Sequence, residues 1–225
     1  MLLFTWPMSL GIRMVAMSYK SGNSAQPVSG ALQRVGELLL GWGTVGVVYA
    51  LCANIERTRF VLSESVLDRW VTFDPIGIWW YMSFFAFVPT AYGLVAARNL
   101  RRLRLATQWC AILSGIVFML FPTSLPVQEL PGSGYGSLLL GWLQSFDTDG
   151  NCFPSLHVAL TFIGALAVND RRRPVVSAVM WFWCLAIIYS VIQTRRHLAI
   201  DAIAGVIVAL LAGCLAARCR WRRPV

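Results

Sequence analysis

Thr194–Ala217 reads TRRHLAIDAIAGVIVALLAGCLAA: two arginines, a histidine, an aspartate one turn later, then a long apolar run. No charged residue occurs between Asp201 and Arg218, so a helix here carries apolar side chains on every face. Such a helix suits lipid or a fully enclosed core, not water. The rest of the chain has the same character: its 225 residues are 57% hydrophobic and 13% charged. A water-soluble domain of this size would have to bury all of its long apolar runs, so the simpler solvent is a bilayer. Spans are expected at about 36–54, 76–97, 105–122, 154–169, 175–193 and 198–217, which makes the chain an all-α, polytopic membrane protein folded as a six-transmembrane-helix bundle.

Basic residues orient that bundle. Arg13, Lys20 and Arg34 precede the first span; Arg98, Arg101, Arg102 and Arg104 follow the second; Arg171, Arg172 and Arg173 follow the fourth; Arg218, Arg220, Arg222 and Arg223 follow the last. The positive-inside rule places this set, and with it both termini, in the cytoplasm. Glu56, Glu64, Asp68, Asp74, Glu129, Asp147 and Asp149 then fall in the two outer loops. A net charge of +9 would also suit nucleic acid, but the arginines come in short clusters between apolar runs, so no nucleic-acid partner is expected. The six cysteines have neither metal-ligand nor redox spacing. Residues 1–30, where Arg13 interrupts an apolar start and SGNSAQPVSG follows, are expected to form a flexible or interfacial N-terminal arm, with the membrane domain at 31–225. Trp79, Trp80 and Tyr81 at the start of the second span read as an interfacial aromatic belt.

The chain has two histidines. One lies in NCFPSLHVA (Asn151–Ala159), the other in HLAID (His197–Asp201). In the expected topology the fourth and sixth spans both run inward, so His157 and His197 reach the outer face together. Residues at i and i+4 share a helix face, so Asp201 is expected to accept a hydrogen bond from the His197 ring. Two helix N-termini with Arg195 and Arg196 beside them favour a phosphate, to which Ser155 would add a hydrogen bond; Pro154 suits the first turn of its helix. With a phosphate ester bound, His197 can attack phosphorus and Asp201 can fix its tautomer, while His157 serves as acid and then base. Such chemistry calls for no metal and no cofactor.

CFPSLHVA with the later HxxxD resembles the type 2 phosphatidic acid phosphatase superfamily, in particular the branch similar to inositol phosphorylceramide synthases, where PSLH stands in place of the classical PSGH. The resemblance covers about Phe118–Gly205, with FPTSLP at Phe121–Pro126 similar to the proline-rich segment before that motif. It implies a six-helix membrane fold, a metal-independent histidine nucleophile at His197 beside Asp201, and His157 as acid and base. Two features depart from the classical pattern. Lys20 is the only lysine and lies in the arm, and Ser190 and Val191 occupy the positions where Ser-Arg stands in the classical third motif. Arg195 and Arg196 are therefore read as phosphate ligands from their position alone.

The expected function is that of a membrane-embedded lipid phosphatase acting on a lipid phosphate, with water or an acceptor alcohol as the second reactant. Its site would face outward from a bacterial inner membrane. A headgroup phosphotransferase is the first alternative. A proton- or metal-coupled transporter, with His157, His197 and Asp201 as its relay, is the second. No oligomeric state is read from the sequence.

Overall fold

The computed structural model describes residues 30–53, 60–126, 128–130, 132, 134–146 and 151–219. The expected arm, apart from Gly30, lies outside these residues, as do Glu56, Asp147, Asp149 and the basic residues beyond Cys219. The helices are α1 (Ala31–Ala53), α2 (Val66–Trp70), α3 (Ile78–Met82), α4 (Phe84–Leu94), α5 (Ala97–Leu120), α6 (Tyr135–Phe146), α7 (Leu156–Val168), α8 (Pro174–Gln193) and α9 (Ala199–Arg218). Two short strands, β1 (Phe60–Val61) and β2 (Thr123–Ser124), pair in parallel.

Four helices, α1, α5, α8 and α9, are long and apolar enough to cross a membrane. Two of the expected spans take another form. The second is divided at Ser83 into α3 and α4. Pro89 lies within α4 and has no N–H for the carbonyl of Phe85, which loosens the ladder just after that break. Ser83 fills the gap with side-chain bonds, donating to the Trp80 carbonyl (2.6 Å) and accepting from Trp183 Nε1 (2.8 Å). The fourth is α7, only 13 residues long. It rises about 20 Å, less than the roughly 30 Å of bilayer hydrocarbon. Its neighbours compensate, because α7 packs against α4, α5, α8 and α9 and is the central post of the bundle.

Contacts near the helix ends fix their directions. Arg104 pairs with Glu37 near the starts of α5 and α1, and Cys52 Sγ approaches the Gly115 carbonyl near their far ends, so the two helices run parallel. At the lower end Arg34 donates to the carbonyls of Tyr92 and Val95 (2.7 and 2.9 Å), and Arg173 donates to that of Leu94 (3.2 Å). These guanidinium groups satisfy carbonyls that the end of α4 leaves without a helical partner. At the upper end, β1, β2, the bridge from Thr123 to Asn151 and the bond from Asn151 Nδ2 to the Tyr49 carbonyl tie the outer segments together. The arginines at the starts of α1, α5 and α8 thus lie at the end of the bundle opposite both histidines. Leu39, Leu51, Phe182, Leu185, Ile207 and Leu211 stand exposed on the outside, as a lipid-facing surface requires.

The approach of α9 to α7 depends on Gly205. A Cβ there would lie 2.5 Å from the Ser155 carbonyl oxygen and 3.3 Å from the Ala159 nitrogen, both backbone atoms that cannot rotate away. Gly205→Ala is therefore expected to force the two helix starts apart. We expect a stability loss of about 1–3 kcal/mol, measured by thermal unfolding in detergent.

Candidate active site

Ser155 caps α7: its Oγ accepts from the Val158 N–H at 3.3 Å. Pro154 thus precedes the cap instead of occupying the first turn, joined to Phe153 by a cis peptide bond. The Ser155 N–H donates to the Asp201 carbonyl (3.0 Å), which docks the start of α7 onto the first turn of α9. His157 follows as the second residue of α7, inside its first turn. The turn carrying His197 is folded back by its own N–H, which donates to the Val191 carbonyl at 3.0 Å. The two imidazole centroids are consequently 5.8 Å apart.

Asp201 does not accept the expected hydrogen bond from the His197 ring. Nδ1 of His197 lies 3.0 Å from the Cys152 carbonyl, whereas Asp201 Oδ2 is 3.7 Å away. A carbonyl can only accept, so this contact fixes the tautomer with the proton on Nδ1 and leaves the lone pair on Nε2. Asp201 Oδ2 instead accepts from the Leu198 N–H at 2.8 Å, the reach-back bond of a third helical position. Its Oδ1 is buried without a hydrogen-bond partner among the described residues. The carboxylate therefore stands beside the ring without a hydrogen bond to it.

Arg195 also differs from expectation. Its side chain is turned into the protein, donating from Nε to Glu64 Oε1 (2.8 Å), from Nη1 to the Ile192 carbonyl (2.8 Å), and from Nη2 to the carbonyls of Asp68 (3.0 Å) and Val71 (2.8 Å). Four donor contacts are thus committed within the fold. They hold a residue whose φ of 53° lies in the left-handed region that side chains other than glycine seldom adopt. Arg196 is half-buried beside His197, and Ser155 is fully buried at the α7 cap.

Three features of the site were not anticipated from sequence. The first is the Cys152 carbonyl, a backbone group that no side-chain motif encodes. The second is the wall around His157: the Phe84 and Tyr81 rings stand 4.4 and 4.7 Å from its centroid. Tyr81 is only 2% exposed, so it leaves the expected aromatic belt to Trp79 and Trp80, which remain about half exposed. Those two tryptophans line an open groove of about 320 Å³ with Ile76, Tyr189 and Gln193, and neither histidine is among its lining residues. The third is Asp68, read from sequence only as a loop acid. Burial pushes its carboxyl up, but hydrogen bonds from Ser65 and Ala199 and the nearby Arg195 charge outweigh that and hold it below the ordinary carboxylate range.

Two imidazoles lie 5.8 Å apart beside two helix starts, one with its tautomer fixed by a carbonyl and a carboxylate 3.7 Å away. Such an arrangement can handle both ends of one labile bond. The family model of the PAP2 superfamily matches residues 60–215, which include both histidines, Asp201, Asp68 and the arginine pair. The chain belongs to the PAP2 superfamily. Comparison with curated proteins finds no match. PAP2 superfamily members are phosphatases, and that activity class, a phosphoric ester hydrolase in a membrane-embedded helical protein, carries over to this chain. Among the described residues no three of His, Cys, Asp and Glu are grouped so as to hold a metal ion.

Proposed function

We propose that this PAP2 protein is a lipid phosphatase that works through a phosphohistidine on His197. The observation that carries the reading is the 5.8 Å separation of the two rings, with Nδ1 of His197 turned onto the Cys152 carbonyl. Nε2 of His197 attacks phosphorus; the bond from phosphorus to the alkyl oxygen breaks, its electron pair leaves with the oxygen, and His157 supplies the proton. His157, now neutral, takes a proton from water. The resulting hydroxide attacks phosphorus, the P–N bond breaks, and its pair returns to Nε2. Asp201 stabilises the positive charge that His197 carries in between.

Arg196, the Ser155 hydroxyl proton and the remaining N–H of Arg195 are the groups we assign to the phosphate oxygens. The bundle crosses the membrane six times, with α3–α4 and α7 as the two irregular crossings. Its arginine-rich end is cytoplasmic and its histidine end faces outward, in a bacterial inner membrane.

A second reading, headgroup transfer to an acceptor alcohol as in inositol phosphorylceramide synthases, is favoured by PSLH at Pro154–His157. It shares every step up to the phosphohistidine. Purified protein supplied with phosphatidic acid should release inorganic phosphate, retain that activity in a chelator, and carry label on a histidine after brief exposure to substrate labelled in the phosphate. Transfer of label to an added polyol in place of phosphate release would favour the second reading. Activity that vanishes with the chelator and returns with a divalent metal would sink the metal-free route.

A further inference from the structure

We propose that Asp68 is the positioning residue for His197, fixing the nucleophile's turn from a separate outer loop; this rests on His197 being the nucleophile. The carboxylate is fully buried, and both of its oxygens are engaged. Oδ1 accepts from the Ala199 N–H at 2.6 Å, two residues after His197 and at the first residue of α9. Oδ2 accepts from the N–H and hydroxyl of Ser65, at 2.8 and 2.6 Å. Two residues before His197, Arg195 donates to the Asp68 and Val71 carbonyls and to Glu64. The histidine is therefore held on both sides by one short segment, Glu64–Val71, more than a hundred residues away in the chain.

The chemistry of the clamp demands a carboxylate. Every partner of the two oxygens is a donor, and a buried donor that loses its acceptor retains the full cost of its desolvation. Asn at this position must turn its NH2 toward either Ala199 or Ser65, so one donor meets another whichever way the amide is placed. The partners of the Asp68 carboxylate are the Ser65 N–H and hydroxyl and the Ala199 N–H, none of them a group assigned to the phosphate, so its effect on chemistry passes through the placement of His197.

The test combines turnover with a labelling experiment that needs no substrate. Because the chain has two histidines, a His157→Gln background leaves His197 as the only imidazole, and its reaction with diethyl pyrocarbonate reports the ring directly. Asp68→Asn in that background should raise the labelling rate several-fold, because a ring that is 6% exposed when clamped becomes accessible when the turn is released. In the otherwise native enzyme, Asp68→Asn should lower kcat on dioleoyl phosphatidic acid in detergent micelles about 10- to 100-fold while KM stays within about twofold, the signature of a displaced reacting group and not of lost binding. Ser65→Ala removes a single bond and should move both readouts in the same direction by less, which covers the case in which Asp68→Asn fails to fold.

Unchanged labelling and unchanged kcat in both variants would overturn the proposal. So would a rise in KM with kcat intact, which would make the segment part of substrate binding. Full turnover in His197→Ala would instead overturn the nucleophile assignment, and the labelling result would still decide whether Asp68 holds the ring.

Discussion

His197→Ala is expected to lower kcat by roughly 10⁴- to 10⁶-fold and to abolish the labelled phosphohistidine, the scale of loss that follows removal of an enzymatic nucleophile. The alternative explanation of such a loss is structural, because the ring also holds the Cys152 carbonyl at 3.0 Å. His197→Asn separates the two roles. The amide NH2 of Asn can stand where Nδ1 stands and donate to the same carbonyl, but it has no atom in place of Nε2. An inactive His197→Asn whose melting temperature matches the native protein would place the whole effect on Nε2. If His197→Asn retains more than about a tenth of native turnover, no bond to this nitrogen forms in the reaction. Substrate binding by the inactive variant is the useful companion measurement, since a missing nucleophile leaves the phosphate ligands in place and KM-like affinity should persist.

Four of the apolar spans were legible in sequence because each depends on short-range order. The run after Asp201 has no charge until Arg218 and forms α9, Ala199–Arg218, within a residue or so of the expected bounds. The spacing of His197 and Asp201 did place their side chains on one side of a turn. What spacing could not reveal was competition: the Leu198 N–H, three residues before Asp201, takes Oδ2, and the Cys152 carbonyl takes Nδ1. A backbone carbonyl leaves no trace in residue identity. Arg195 was read as a phosphate ligand because it sits next to His197, yet its partners lie at Glu64, Asp68, Ile192 and Val71. Three of those four lie in or beside α2, whose contact with the third motif no local pattern encodes. The α6 helix, Tyr135–Phe146, lies between the spans expected at 105–122 and 154–169; its SLLLGWL has the apolar content of a helix, but at 12 residues it is too short to stand out as a span. Tyr81 and Trp80 are neighbours of similar chemistry, and only the register of α3 turns one inward to His157 and the other toward lipid.

His157→Gln carries the other large expectation, and the leaving group decides its size. With phosphatidic acid the departing alkoxide is strongly basic, so loss of the acid should cost about 10²- to 10⁴-fold in turnover. With p-nitrophenyl phosphate the phenolate leaves without a proton, and the first step should be nearly native. The second step has no such escape, because water still needs its proton removed. The variant is therefore expected to release one equivalent of nitrophenol in a rapid burst and then stall, with the phosphohistidine accumulating on His197. A solely structural histidine, packed between Phe84 and Tyr81 at 4.4 and 4.7 Å, would give a different result: both substrates would slow by the same factor, and no intermediate would build up. The aromatic wall also bears on which bond is broken. It makes the His157 side of the site apolar, where a lipid alcohol is at home and a second charged phosphate would be poorly solvated, so the ester oxygen nearest His157 is the one that carries the chain. In the proposed mechanism the scissile bond would then lie between the two rings, with the charged oxygens turned toward Arg196 and the lipid toward Phe84, and His157, as the acid of the first step, would face the vacated position from which water attacks in the second.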